Sequence, residues 1–499
     1  MNIYEATITD LATAMANGHL SAQQIVTAYQ ERIAQLDQGA NGLHAVLELN
    51  PEALALAAQS DVERAFGRVR GPLHGIPILL KDNIATTDTM QTTAGSLALL
   101  QTRPAHEASV VTRLRQAGAI ILGKTNMSEW ANFRSTRSSS GWSARGGQTR
   151  NPYLLDRSPC GSSSGSAVAV AASLCAAALS TETDGSIVCP ASVCGVVGLK
   201  PTVGLTSRAG VIPISTTQDS VGVHARSLHD AALVLTVIAG GDPADPATAA
   251  CPDRDLDYTQ MLDPDGLRGA RIGVLRGGKL WGYHPGTDRI ASAVLAQIQA
   301  CGATLIDPIE LPANIIEAEQ AEFDLLLYEF KAGLNDYLTK CQGERPRSLA
   351  DLIAFNLAHS DQEMPYFGQE IFLLAEAKGD LATPAYHAAR AQSHDQARSF
   401  IDTTMATHDL DALVMPGGSP AWTIDLVNGD HFLGGSAALA ARAGYPLVNI
   451  PAGYIHGLPV GISLMGRAFS EPHLLRLAYA LEHALPPRRP PIYLPTFRR

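Results

Sequence analysis

Short apolar runs separated by helical patterns constrain this 499-residue chain more than any other feature. The runs are Ile76–Leu80, Ala119–Leu122, Ala176–Ser180, Val196–Leu199, Arg271–Leu275, Ala412–Met415 and Pro459–Met465. Each is too short for a helix and apolar on both faces, as strands are when both sides of their sheet are covered. Helical patterns fall between them, for example Ser109–Ala117 and the segment after Gly165. Strands alternating with helices predict an α/β architecture, a sheet covered by helices on both faces. Before the first run, residues 9–36 are helical, with Ser21 as a cap and Ile25, Ala28, Ile33 and Leu36 on one face. A second helix over 51–66 opens on Pro51. Between about 313 and 408 the strand signals vanish and long helical patterns such as Ala318–Leu338 take over. No linker divides the chain, so the expectation is one domain over 1–499. It comprises a helical layer (about 1–66), a core (about 67–230) and a helical insertion (about 313–408). The Pro-rich end, Pro486–Pro495, reads as a tail lying on the surface.

Composition narrows the functional classes. A net charge of −11 and an aromatic content of 6% argue against nucleic acid as a partner, since phosphate binding needs clustered Lys and Arg. The most apolar stretch, Ala167–Leu179, is shorter than the roughly 20 residues that span a bilayer. It reads as buried helix followed by strand, and no membrane partner is expected. Met1–Ala6 has neither a basic nor an apolar character, which favours a cytoplasmic location unless a leader has been removed. The seven cysteines (Cys160, Cys175, Cys189, Cys194, Cys251, Cys301 and Cys341) are odd in number and lack short paired spacings. They read as small buried thiols rather than a disulfide framework or a zinc set. Neither a metal nor a cofactor is expected.

Two familiar motifs match in letters and fail in context. Gly118–Thr125 fits the phosphate-loop pattern G-x4-G-K-[ST], but its four spacer residues are apolar and read as a strand. A phosphate loop instead presents N–H groups from a Gly-rich turn placed after the strand. Gly161–Gly165 fits G-x-S-x-G, yet Arg157-Ser158-Pro159-Cys160 before it cannot be the central strand that a nucleophile elbow requires. No later histidine completes a triad: His224 falls at a strand edge and His229 at a helix start. What remains is a concentration of hydroxyls and glycines, Ser158–Ser166 and Thr181–Ile187, on either side of the most apolar stretch. Buried hydroxyls need partners, and Lys81 at the end of the first apolar run can supply one.

These segments resemble the amidase signature family. The matching blocks are Gly71-Pro72-Leu73-His74-Gly75-Ile76-Pro77 with Lys81-Asp82, Gly123-Lys124-Thr125-Asn126 with Glu129, and Cys160–Ala167. Thr183-Asp184-Gly185-Ser186-Ile187, Gly198–Thr202 and Gly457–Gly461 complete the set, in the family's order. The resemblance implies a large mixed sheet and a Ser–Ser–Lys triad. Ser186 would be the nucleophile, Ser162 the bridging serine on a cis peptide bond, and Lys81 the base. Thr183, Asp184, Gly185 and Ser186 would form the oxyanion hole, and Ser163 and Thr181 would support the network. Lys81 can act only when neutral, so burial must lower its pKa toward 7–8. Departures from the family's usual residues are Cys160, Ser164, Asp184 and Val188.

Ser128–Phe133, Gly141–Gln148, Glu182–Ser186 and Leu327–Lys331 resemble the peptide amidase subgroup, which releases ammonia from C-terminal amides of peptides. Trp130 and Trp142 are candidate walls of a peptide cleft. The implied substrate is a short-peptide or small-molecule amide. A glutaminase subunit of a tRNA-dependent amidotransferase, with partner subunits, is the alternative; a nucleotide-binding protein built on Gly118–Thr125 is a distant one.

Overall fold

The apolar runs pair into one sheet. The structure, a computed structural model, describes residues 3–251, 256–343 and 346–497. Met1 and Asn2 of the N-terminal segment lie outside the described residues. The strands are β1 (Val46–Leu49), β2 (Pro77–Lys81), β3 (Ile120–Thr125), β4 (Trp142–Ser143), β5 (Gly147–Gln148), β6 (Ala177–Glu182) and β7 (Val197–Lys200). They continue with β8 (Ser220–Ala225), β9 (Arg271–Arg276), β10 (Thr304–Glu310), β11 (Ala412–Pro416), β12 (Leu447–Ile455) and β13 (Leu458–Met465). Eleven of them form a mixed sheet in the order β1-β3-β2-β6-β8-β7-β12-β13-β11-β9-β10, while β4 and β5 make a separate hairpin. β3, β2 and β6 run parallel, as do β11, β9 and β10; the pairings from β6 through β8, β7, β12 and β13 to β11 are antiparallel.

Every residue of β2, β3, β6, β7 and β8 is buried, which is why β2, β3, β6 and β7 carry apolar runs; β8, Ser220-Val221-Gly222-Val223-His224-Ala225, does not read as one. Beneath them lies the helix Ser164–Ala171, buried all round and built of Ala, Val, Ser and Gly. Small side chains are what allow it so close. A Cβ on Gly165 would stand 2.5 Å from the Asn126 carbonyl oxygen, so only glycine fits there.

Besides β8 and the hairpin strands β4 and β5, three strands escaped the sequence pattern. β10 contains Asp307-Pro308, β12 contains Asn449 and Pro451, and β1 is a four-residue edge strand that becomes exposed along its length. His224 lies not at an edge but within β8, between β6 and β7.

Residues 9–36 form two helices, Ile8–Ala16 and Ala22–Leu36, and Ser21 caps the second reciprocally with Gln24. Its buried face is Ile25, Val26, Tyr29 and Ile33; Ala28 and Leu36 are only half-buried. The next helix spans Ala53–Ala65, so Pro51 sits in the turn before it rather than at its first position. Helices dominate 313–408, chief among them Glu319–Lys340, Leu349–Ala358 and Gln396–Thr407. Phe330, Leu334, Leu352 and Phe372 from this stretch pack with Trp130 and Met127 in a second apolar cluster. The Pro-rich tail is tied down by hydrogen bonds from Tyr493 N–H to the Pro152 carbonyl and from Leu155 N–H to that of Leu494. No described helix is long and apolar enough to cross a membrane.

The cysteines require a correction. Cys160 and Cys189 form a disulfide, with Cα atoms 6.1 Å apart, whereas the sequence suggested buried thiols only. Their separation of 29 residues concealed a pairing made by the fold, which brings the Ser-rich loop beside the first turn of the helix Val188–Cys194.

Candidate active site

Parallel β2 and β6 are neighbours in the sheet, so their C-terminal ends open at the same rim. Lys81 ends β2, Thr181 and Glu182 end β6, and the turn after β6 carries Ser186. The Ser-rich loop before the helix Ser164–Ala171 brings Ser162 between them, across a cis Gly161–Ser162 peptide bond.

The three groups form one hydrogen-bonded chain. Lys81 Nζ bonds Ser162 Oγ (2.8 Å), and Ser162 Oγ bonds Ser186 Oγ (2.8 Å). Lys81 Nζ also donates to the hydroxyl (2.9 Å) and the carbonyl (3.0 Å) of Thr181. Burial is graded along the chain: Lys81 and Ser162 are 0% exposed and Ser186 7%. Burial pushes the Lys81 amine down from 10.5 to about 7, against the opposing pull of the Asp219 and Glu182 carboxylates. At neutral pH a large fraction of this lysine is therefore an uncharged base.

Ser163 and Thr181, the hydroxyls expected to support the network, lie beside it. Ser163 Oγ donates to the Thr181 carbonyl (3.0 Å), and Ser163 N–H to that of Ser186 (3.1 Å). Further members were given no role from the sequence. Asn83 donates to Thr181 Oγ1 (2.9 Å), and Asp219 accepts from the Thr183 hydroxyl (2.6 Å). Glu182 Oε2 accepts from the N–H groups of Ile187 (2.6 Å) and Val188 (3.0 Å), fixing the turn beyond Ser186. A carboxylate at the end of a fully buried strand was the one clue to Glu182. Among the described residues, no protein acceptor takes the N–H groups of Asp184, Gly185 or Ser186.

Asp184 and Gly185 line a cleft of about 620 Å³. Its walls are mostly apolar, with Leu280, Ile315, Phe323, Leu326, Trp422 and Phe432 prominent. Asp184 faces this cleft with its side chain exposed to it; the surrounding walls and, next, the Glu182 charge raise its carboxyl above the usual range. Glu322 on the opposite wall is pushed up to about 8, by burial first and by Asp184 second.

Trp130 and Trp142 do not line the cleft. Positive φ at Trp130 and Ala131 turns the Trp130 ring edge-on to Phe372, 5.6 Å away in the second apolar cluster. Trp142 packs edge-on against Tyr366 and Phe367. The tryptophan on the cleft is Trp422, whose Nε1 donates to Asp430.

Both motif decoys fail structurally too. Ile120–Thr125 is an interior strand, and Lys124 Nζ is committed to the Ile84 carbonyl (2.6 Å) and Thr92 Oγ1 (2.9 Å). His224 bonds Ser180 Oγ and the Ile187 carbonyl, and burial lowers it to about 4. Among the described residues, no group of three or more His, Cys, Asp or Glu is placed to hold a metal ion.

The family model for amidases matches residues 24–475. The structure is similar to that of native peptide amidase from Stenotrophomonas maltophilia, with a TM-score of 0.93 and 55% identity over 98% of this chain and 99% of that one. A probable amidase of Arabidopsis thaliana is 42% identical over 99% of this chain and 92% of its own length. A glutamyl-tRNA(Gln) amidotransferase subunit from Thermosynechococcus vestitus is 35% identical over 96% of this chain and 98% of its own. The chain belongs to the amidase signature family and is a hydrolase of amide C–N bonds.

Proposed function

We propose that this enzyme hydrolyses the C-terminal amide of short peptides, releasing ammonia through Lys81, Ser162 and Ser186. The hydrogen-bonded chain that runs from a fully buried amine to Ser186, next to Gly185 on the cleft wall, carries this reading. Neutral Lys81 takes the proton of Ser162 while Ser162 takes that of Ser186, and Ser186 Oγ attacks the amide carbon. The carbonyl oxygen becomes an oxyanion held by N–H groups of the Thr183–Ser186 turn, each worth about 3 kcal/mol. As the intermediate collapses, the relayed proton returns through Ser162 to the leaving nitrogen, and ammonia departs. Water then attacks the acyl-enzyme ester by the same relay and frees the carboxylate.

An apolar cleft with a few polar groups suits a short peptide whose backbone and side chains are both covered. The likeness to a peptide amidase supports that substrate class. The likeness to an amidotransferase subunit supplies the second reading, in which glutamine is cut for a partner. Ammonia release from amidated dipeptides, small aliphatic and aromatic amides, and glutamine by the purified chain separates the two. We expect turnover of amidated dipeptides by the chain alone; cleavage of glutamine but not of these would overturn the reading. The Cys160–Cys189 bond favours an oxidising compartment over the cytoplasm expected from the sequence.

Glu182 is expected to act by placing the oxyanion turn. Glu182→Ala frees the Ile187 and Val188 N–H groups, and a displacement of about 1 Å there costs about 10²-fold in kcat. Steady-state kinetics on one amidated dipeptide, with circular dichroism to verify folding, checks this.

A further inference from the structure

The disulfide lies beside the two serines. Cys160 precedes Ser162 by two residues and Cys189 follows Ser186 by three, and both cysteines line the cleft. Cys160 adopts φ +56°, a left-handed conformation that glycine takes readily and a side chain resists. This is also a position that the disulfide ties to Cys189. Other direct ties here are the Ser162–Ser186 hydroxyl contact, the Ser163 N–H to Ser186 carbonyl bond, and the contact of Cys194 Sγ with the Pro159 carbonyl (3.8 Å). The hydroxyl contact is the one that must break and reform in every turnover.

We propose that the Cys160–Cys189 disulfide is a positioning element for catalysis: it holds the Ser162 loop against the Ser186 turn, so that the oxidised enzyme is the active form and reduction uncouples the proton relay. This rests on the catalytic roles proposed above. Cys189 is only partly buried, so the bond is open to a dithiol entering through the cleft. One thiolate of dithiothreitol attacks a sulfur to give a mixed disulfide. Its second thiol then displaces the remaining cysteine and closes the cyclic disulfide, so two electrons and two protons pass to the protein. The other five cysteines are not disulfide-bonded, so only this pair changes.

The test measures kcat and KM on an amidated dipeptide for three preparations. They are the oxidised enzyme, the same enzyme reduced with dithiothreitol and then reoxidised with oxidised glutathione, and the variant Cys160→Gly with Cys189→Ala. Glycine at 160 tolerates the positive φ, so this variant loses the bond without inheriting the backbone conflict. Alkylation and mass spectrometry confirm the thiol state, and thermal unfolding is recorded for each. Expected is a fall in kcat of tenfold or more with KM within twofold, in the reduced enzyme and in the variant alike. The variant should be indifferent to dithiothreitol, and the reduced enzyme should recover on reoxidation. A lowered unfolding temperature with unchanged kcat would make the bond purely structural and overturn the proposal, as would a change confined to KM. Absence of peptide-amide turnover by the oxidised enzyme would instead refute the functional reading beneath it.

Discussion

Ser186→Ala is expected to abolish acylation, with a fall in kcat on the order of 10⁶-fold, the scale seen when a serine nucleophile is removed. The loss should be purely chemical. The Ser186 side chain touches the network at one point, Ser162 Oγ, and its carbonyl still anchors the Ser163 N–H when the hydroxyl is gone. The unfolding temperature should therefore stay close to that of the parent. Rapid-quench or mass-spectrometric trapping with an amidated peptide should show an acyl-enzyme in the parent and none in the variant. An acylated variant, or one with more than a few per cent of activity, would remove Ser186 from the nucleophile position. Ser162→Ala breaks the chain at its middle and leaves Lys81 more than one hydrogen bond from Ser186, so a loss of about 10²–10⁴-fold is expected, the range for general acid–base groups.

The second large effect is at Lys81. Lys81→Ala removes the base and leaves the Thr181 hydroxyl and carbonyl without their amine partner; we expect a loss of about 10⁴-fold in kcat/KM, at the upper end for a general base. Lys81→Arg should be as inactive, because guanidinium stays protonated at any accessible pH and cannot accept the proton of Ser162. The pH profile carries the same assignment. Burial has lowered this amine from 10.5 to about 7, so below about 7 it is ammonium and useless as a base, and above about 7 it is neutral and competent. Activity should thus rise tenfold per pH unit up to about 7 and level off above it. In the Lys81→Ala variant the residual rate should lose that limb. A limb that persists unchanged in the variant would assign the titration to another group.

How far the sequence led depends on burial and on distance along the chain. The interior strands were visible because a strand covered on both faces must be apolar throughout, as Ile78, Leu79 and Leu80 are. β1, β10 and β12 were not, because edge strands and strands bearing proline look like loops when read locally. The triad was an expectation drawn from blocks of residues that resemble a family. By spacing alone, Lys81 is a lysine at a strand end, 81 residues from Ser162 and 105 from Ser186. Trp130 and Trp142 show the opposite failure: aromatic residues close to a motif in sequence read as cleft walls and are not. Three consecutive left-handed residues, Trp130, Ala131 and Asn132, lead the chain into a different apolar cluster. The wall is supplied by Trp422, which lies 280 or more residues further on.

By itself, then, the sequence determined the layered α/β architecture, the cap at Ser21 and the buried helix between the serine segments, while the three residues proposed for the relay came from the resemblance to a family. The first three follow from local propensity, hydrophobic period and residue type, which act over a few residues at a time. Only the tertiary structure decided that Cys160 meets Cys189, that Glu182 and Asp219 brace the nucleophile's turn, and that Trp422 rather than Trp130 or Trp142 faces the cleft. It also supplied the burial that lowers the Lys81 pKa toward neutrality, because a lysine becomes a base near neutrality only when the whole fold removes water from around it.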